Sequence, residues 1–226
     1  MFRIVNKARQ LGFSLIIAAE GFVESLLNDK QTILFVSSGE DAAKRVLQYV
    51  KDLWQSLPEE IRPRALVNSS TELRWDNDSR LISLPNNPKT IRGFNANRVY
   101  LDEVAHFRDD VETFKAIEPS ISRGGKLTVI STPNGRANRF YEIWDKDKEY
   151  SKHLIHWTMC EDERYIKTIK RLRRTMDTIS FGQEYDCFPK ETDVITLDNV
   201  KDISEIDAGD FVLAHSGRFR KVKKTF

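Results

Sequence analysis

Two carboxylates stand side by side at the end of a short apolar run, Arg98-Val99-Tyr100-Leu101-Asp102-Glu103, and Val104-Ala105-His106-Phe107 follows. A strand that ends in adjacent acids suits nucleotide hydrolysis of the Walker B kind. The first acid, Asp102, orders a water on Mg²⁺, and the second, Glu103, polarises the water that attacks a γ-phosphate. A buried strand running into a helix whose first-turn acids suit the dipole gives the same pattern, so the neighbours decide. Asn6-Lys7-Ala8-Arg9-Gln10-Leu11-Gly12-Phe13-Ser14 lies where a strand turns into an apolar helix. A phosphate loop occupies such a turn, with backbone N–H groups around the phosphates, a lysine on their charge and a hydroxyl on Mg²⁺. Gly12-Phe13-Ser14 lacks the usual lysine before the hydroxyl, so the cation must come from elsewhere. Lys7 is the nearest and Arg9 is held in reserve. Taken alone, the segment also reads as an ordinary strand, turn and helix.

The elements that must position these residues follow from hydrophobic periodicity. Residues 2–5 read as a strand followed by a helix through about residue 27; residues 32–37 read as a buried parallel strand followed by a helix over 39–54. Short strands are expected near 66–67, 73–75 and 81–84, the last two forming a hairpin. A polar loop over 86–97 carries Arg92-Gly93 into the acidic strand. Beyond it come a helix over 109–119, a buried strand over 126–131 ending in Ser-Thr-Pro-Asn-Gly, a helix over 138–145, a strand over 153–157 and mostly helix from 162 to 186. Residues 164–174 hold six basic residues and no acid, which fits a solvated face or a surface turned to DNA or a neighbouring domain. His153 and His156 would point to opposite faces of a strand, which argues against a metal site there.

The chain has 226 residues, 40% hydrophobic and 31% charged, enough for one full core and a small second unit. Its 36 basic and 34 acidic residues nearly cancel, so net charge alone implies neither a nucleic acid nor a membrane partner. Two cysteines, Cys160 and Cys187, are too few for a disulfide framework and match no zinc spacing, which points to a reducing cytosol. The apolar run over 15–19 is far shorter than the roughly 18 residues a spanning helix needs, so a soluble intracellular protein is expected. A strand at the very start reads as a domain entered midway.

Taken in order, Lys7 to Ser14, Arg92-Gly93, Val99 to Glu103 and Ser131-Thr132-Pro133 resemble the ATPase domain of the large terminase subunit, the genome-packaging motor of tailed phages. The resemblance covers nearly all of residues 1–186. The first segment is similar to that family's deviant Walker A, in which an aromatic residue replaces the usual lysine and a lysine stands at the start of the loop. The resemblance implies an α/β P-loop fold of the additional-strand, RecA-like kind, a mostly parallel sheet flanked by helices, binding ATP and Mg²⁺. It implies that Lys7, Arg9, Gln10, Gly12 and Phe13 surround the phosphates, Ser14 and Asp102 serve Mg²⁺, Glu103 activates water and Thr132 senses the γ-phosphate. Arg92 is implied as an arginine finger offered to a neighbouring subunit, with a loop brace as the alternative. The implied partners are double-stranded DNA, the portal, the small terminase subunit and further copies in a ring, in the cytoplasm of an infected bacterium. Only residues 1–6 precede the loop where the family has a stretch shaping the adenine pocket, which leaves ATP affinity in question. The rival readings are a helicase, which needs a second RecA-like domain, and a remnant that only carries the tail.

That tail begins after Gln183-Glu184-Tyr185-Asp186-Cys187, a segment similar to the family's junction between ATPase and nuclease. From Cys187 onward, and through Ile203-Ser204-Glu205-Ile206-Asp207-Ala208-Gly209-Asp210-Phe211-Val212-Leu213 with a turn at Ser216-Gly217, the sequence resembles the N-terminal block of an intein. This implies that Cys187 attacks the carbonyl of Asp186 in an N–S acyl shift. A cysteine in an ordinary β module is the plainer reading. The intein's Thr-x-x-His block, terminal His-Asn pair and following nucleophile are missing by Phe226, so splicing is expected only with a complementing C-terminal half. The expected division is 1–186 for the ATPase domain and 187–226 for an incomplete all-β intein fragment.

Overall fold

The computed structural model describes residues 2–186, 193–214 and 218–223. Strands β1 (Phe2–Lys7), β2 (Thr32–Ser37), β3 (Ala65–Asn68), β4 (Glu72–Trp75), β5 (Arg80–Pro85), β6 (Arg98–Asp102), β7 (Lys126–Ser131) and β8 (Tyr150–Ile155) form one sheet, ordered β3-β4-β5-β2-β6-β7-β1-β8. Pairing is parallel from β5 across to β8 and antiparallel only at the β3-β4-β5 edge. Continuous apolar runs dictate this: every residue of β6 is buried, as a strand covered on both faces requires.

The two faces follow the strand alternation. Ile33 and Phe35 of β2, Tyr100 of β6 and Ile130 of β7 meet Ile17 and Phe22 of α1 (Phe13–Leu27) and Val46, Leu47 and Val50 of α2 (Glu40–Ser56). Phe35 and Tyr100 stack at 5.3 Å between centroids, and burying a ring of that kind stabilises by about 1.5–3 kcal/mol. On the other face Leu34, Val36, Leu101 and Val129 meet Ile91 of α3 (Pro88–Ile91), Phe114 and Ile117 of α4 (Asp110–Ser120) and Phe140 and Ile143 of α5 (Arg139–Lys146). A third cluster lies under the β1 loop, where Ala8 and Trp157 meet Ile169 of α6 (Glu163–Thr175), Phe181 of α7 (Thr178–Phe181) and Tyr185.

Helix α6 is written into its own sequence. Asp162 accepts from the N–H groups of Arg164 and Tyr165, Glu163 sits in the first turn, and Arg173 and Arg174 occupy the last, each charge suiting the dipole. Ile169 is its buried residue, while Arg164, Lys167, Lys170, Arg171 and Arg174 are exposed, as a solvated face and a surface turned to DNA or a neighbouring domain both require.

Four local expectations change. β1 continues two residues further, to Lys7, because β8 pairs with it through Lys7↔Ile155. β8 begins at Tyr150 rather than 153, its ring packing on Phe2 at 5.3 Å, and Trp157 sits in the short 3₁₀ turn Trp157–Met159. His156 therefore leaves the strand and caps that turn, so the opposite-face argument does not apply to the pair. The polar loop contains α3, started by Asn87 accepting from Lys89 N–H with Pro88 at the first helical position.

Past Asp186 the described residues form two antiparallel pairs, β9 (Asp193–Ile195) with β10 (Val200–Asp202) and β11 (Phe211–Leu213) with β12 (Phe219–Lys221), joined by a Thr196–Val212 bridge. Cys187 and the turn at Ser216-Gly217 lie outside the described residues. Among the described residues no helix is long and apolar enough to cross a membrane.

Candidate active site

β7 lies between β1 and β6, so Lys7 and the acid pair converge from strands that are not neighbours, with Ser131 and Thr132 between them. All three strands are parallel, and their carboxyl ends meet at one edge of the sheet, where open α/β folds place ligands.

Lys7 is 5% exposed and its Nζ lies 3.0 Å from Glu103 Oε1. The loop after it curls through two left-handed residues, Gln10 at φ 61° and Gly12 at φ 74°. An added Cβ at Gly12 would meet nothing, so its backbone angle rather than space favours glycine. Among the described residues no side chain caps α1, and no acid lies in its first turn; a helix start of this kind can offer its N–H groups and dipole to an anion. Phe13 packs on the α1–α2 core face. Arg9 is turned away from the acids: its guanidinium pairs with Glu184 at 3.0 Å, its N–H donates to the Glu184 carbonyl at 2.8 Å, and its carbonyl accepts from Tyr165 Oη at 2.6 Å. Lys7 is thus the cation facing the acids, and Arg9 anchors the loop from behind.

Ser14 Oγ donates to Asp102 Oδ2 at 2.7 Å. The other oxygen, Asp102 Oδ1, is buried with no partner among the described residues. Burial, and next the neighbouring Glu103 charge, push the Asp102 carboxyl above the ordinary aspartate range. A hydroxyl, a carboxylate and an orphaned buried oxygen fit a hard oxygen-seeking cation such as Mg²⁺. Among the described residues no group of three or more His, Cys, Asp or Glu could hold a metal.

Glu103 adopts the left-handed conformation, φ 62° and ψ 40°, of a kind that costs a non-glycine residue of order 1–3 kcal/mol and collects at functional sites. Its carboxylate lies between Lys7 and His106, whose Nε2 is 3.9 Å from Glu103 Oε2. The loop after β7 clasps the turn after β6 by three contacts. Ala105 N–H donates to Ser131 Oγ at 3.1 Å, Asn134 Nδ2 donates to the Ala105 carbonyl at 3.0 Å, and His106 Nε2 lies 3.0 Å from Thr132 Oγ1.

Lys7, Gly12, Ser14, Asp102, Glu103 and Thr132 are therefore brought to one edge. Arg92 is not: it ends α3, half exposed, 3.4 Å from Glu112 on α4, and among the described residues it bonds to none of those groups. His106, Tyr165 and Glu184 are site residues that sequence reasoning does not mark. Only His106 leaves a signal, three residues after Glu103.

The same architecture recurs among solved structures. The Thermus phage P74-26 large terminase ATPase domain superposes with a TM-score of 0.66 at 23% identity, covering 82% of this chain and 87% of that one. The HK97 bacteriophage large terminase gives 0.67 at 17% identity, with 85% of this chain matched to 47% of that chain, so this chain spans about half its length. The large terminase of a thermophilic bacteriophage, solved in complex with ATP-gamma-S, gives 0.64 at 12% identity, covering 85% and 48%. At such identities the likeness concerns the fold alone. A family model described as terminase large subunit, T4likevirus-type, N-terminal, matches residues 4–201, running past Cys187. The chain belongs to the terminase large subunit family and carries its T4-like N-terminal domain.

Proposed function

We propose that residues 1–186 bind ATP and hydrolyse it to drive DNA packaging, with Lys7, Gln10, Gly12, Phe13 and Ser14 around the phosphates. The observation that supports this most directly is the joining of Lys7 to Glu103 and of Ser14 to Asp102 at one strand edge. The thermophilic bacteriophage terminase of the same fold was solved with ATP-gamma-S and with ADP. In this reading the phosphates draw the Lys7 ammonium off Glu103, and the freed carboxylate polarises the attacking water. Ser14 and Asp102 would hold Mg²⁺, which would supply positive charge beside the phosphate oxygens. Thr132 senses the γ-phosphate from the end of β7. Arg92, exposed and away from its own site, supplies a guanidinium to the nucleotide of a neighbouring copy in a ring on double-stranded DNA, at the portal with the small terminase subunit. Glu103→Gln should retain nucleotide binding and lose turnover by a factor of about 100 or more, whereas Lys7→Ala should weaken binding itself. Turnover of Glu103→Gln at the unsubstituted rate removes Glu103 from the role of base.

For residues 187–226 we propose the intein reading, in which the Cys187 thiol adds to the Asp186 carbonyl. The C–S bond forms, the C–N bond breaks, and the amide nitrogen leaves as an amine. Besides the sequence pattern, the uncovered apolar surface of the tail supports it. Ile195, Leu197, Val200, Phe211, Leu213 and Phe219 are each 39–58% exposed, as expected of half a module awaiting its complement. The family match running to residue 201 favours the competing view that the family's own domain continues past Cys187. Mass spectrometry after mixing with complementing C-terminal halves separates the two. A ligated product is expected from the unsubstituted chain and none from Cys187→Ala; a product from the alanine variant, or none from either, overturns the intein reading.

A further inference from the structure

We infer that His106 is a positioning residue that carries the state of Thr132 to Glu103; this rests on the ATPase reading of that glutamate. One ring nitrogen faces both neighbours: Nε2 lies 3.0 Å from Thr132 Oγ1, within hydrogen-bond distance, and 3.9 Å from Glu103 Oε2, close enough for an ion pair and too far for a hydrogen bond. No bond among the described residues joins Thr132 to Glu103 directly, so the imidazole is the path between them. The turn fixes its place, since His106 N–H donates to the Glu103 carbonyl at 3.0 Å and Ala105 N–H is held by Ser131 Oγ. Thr132 is 2% exposed at the end of a buried strand, so it can move only with β7 or by turning its hydroxyl.

The chemistry follows from which group holds the Nε2 proton. With the proton on Nε2, the ring donates to Thr132 Oγ1 as it stands, and it can donate to Glu103 Oε2 only once Thr132 lets go and the ring shifts by a few tenths of an ångström. With Nε2 bare, it accepts from the threonine hydroxyl and offers the carboxylate nothing. A threonine hydroxyl that turns to a γ-phosphate frees Nε2–H for Glu103. Glu103 is then gripped at Oε2 by the ring while Oε1, released by Lys7, points at water. On loss of the phosphate the threonine takes Nε2 back, and the carboxylate returns to Lys7. Two of the motor's motifs are thereby joined through a side chain that neither motif contains.

The full chain, assayed with Mg²⁺ and ATP, tests this. His106→Ala should lower kcat about tenfold with KM for ATP unchanged within about twofold, and His106→Gln, which restores an N–H donor, should recover most of the rate. His106→Ala combined with Thr132→Val should be no slower than Thr132→Val alone, because one path has been cut twice. Unchanged kcat in His106→Ala, or losses that multiply in the pair, overturns the link. A second readout needs no turnover. In the unliganded chain Thr132→Val and Glu103→Gln should each shift the ring nitrogen signals of His106 and leave those of His153 in place; unmoved His106 signals overturn the link. An unsubstituted chain that assembles yet turns over no ATP counts against the ATPase reading, and the ring signals still decide the contact.

Discussion

Asp102 shows what the site costs the fold. Its carboxyl is raised above the usual range by burial, then by Glu103, so its ionised form is worse placed in the folded chain than in the unfolded one. The penalty is absent below the unfolded pKa, about 3.9, where both states are protonated; it grows as pH rises and is complete above the folded pKa. Asp102→Asn should therefore raise Tm at neutral pH, with a gain that vanishes below about pH 4, while abolishing Mg²⁺-dependent turnover. Melting curves at two pH values check it, and a lower Tm at pH 7 would contradict it. Asp102, Glu103, Lys7 and Ser14 are legible in the sequence because the chemistry proposed for them demands those residue types at strand ends and at a helix start. The contact of His106 with Thr132 is not, since it depends on β7 lying between β1 and β6, and residue order along a chain does not give strand order in a sheet.

Among the elements, α1, which follows the loop proposed to hold phosphate, sits unusually close to the sheet. A Cβ on Gly21 of α1 would come 2.7 Å from Phe35 Cζ, and that ring is fixed by its stack on Tyr100. Alanine would gain about 1 kcal/mol of helix propensity and lose about 1–3 kcal/mol to overpacking. Gly21→Ala should thus destabilise by about 1 kcal/mol in denaturant unfolding, and a smaller side chain at Phe35 should relieve part of the loss. Strands with continuous apolar runs, β2, β6 and β7, are legible in the sequence, because burial on both faces leaves a strong trace. β8 starts three residues before its apolar signal does. Its pattern, Tyr150-Ser151-Lys152-His153-Leu154-Ile155, is mostly polar and exposed, as an edge strand allows, so only pairing with β1 defines where it starts. α3 escapes periodicity though Asn87-Pro88 is a helix-start signal, its four residues being too few to show a period.

On the proposed reading, the whole molecule divides its labour between an edge that binds nucleotide and surfaces that meet other chains. If Arg92 acts on a neighbour, a chain with Arg92→Ala and one with Glu103→Gln should together show more turnover than either alone, each offering the part the other lacks. Mixtures shown to assemble but giving no rescue would leave Arg92 as a brace to Glu112. The contrast between a sheet covered on both faces and a tail whose apolar side chains lie open has a consequence for amide hydrogen exchange. Amides of β6 and β7, flanked by strands on either side, exchange only when the whole domain opens. Those of β9 to β12 should exchange through local opening of two short antiparallel pairs, at rates set by the tail. One exchange experiment on this chain therefore reports two separate stabilities, and covering the tail with any partner should slow the second set by orders of magnitude and leave the first where it was.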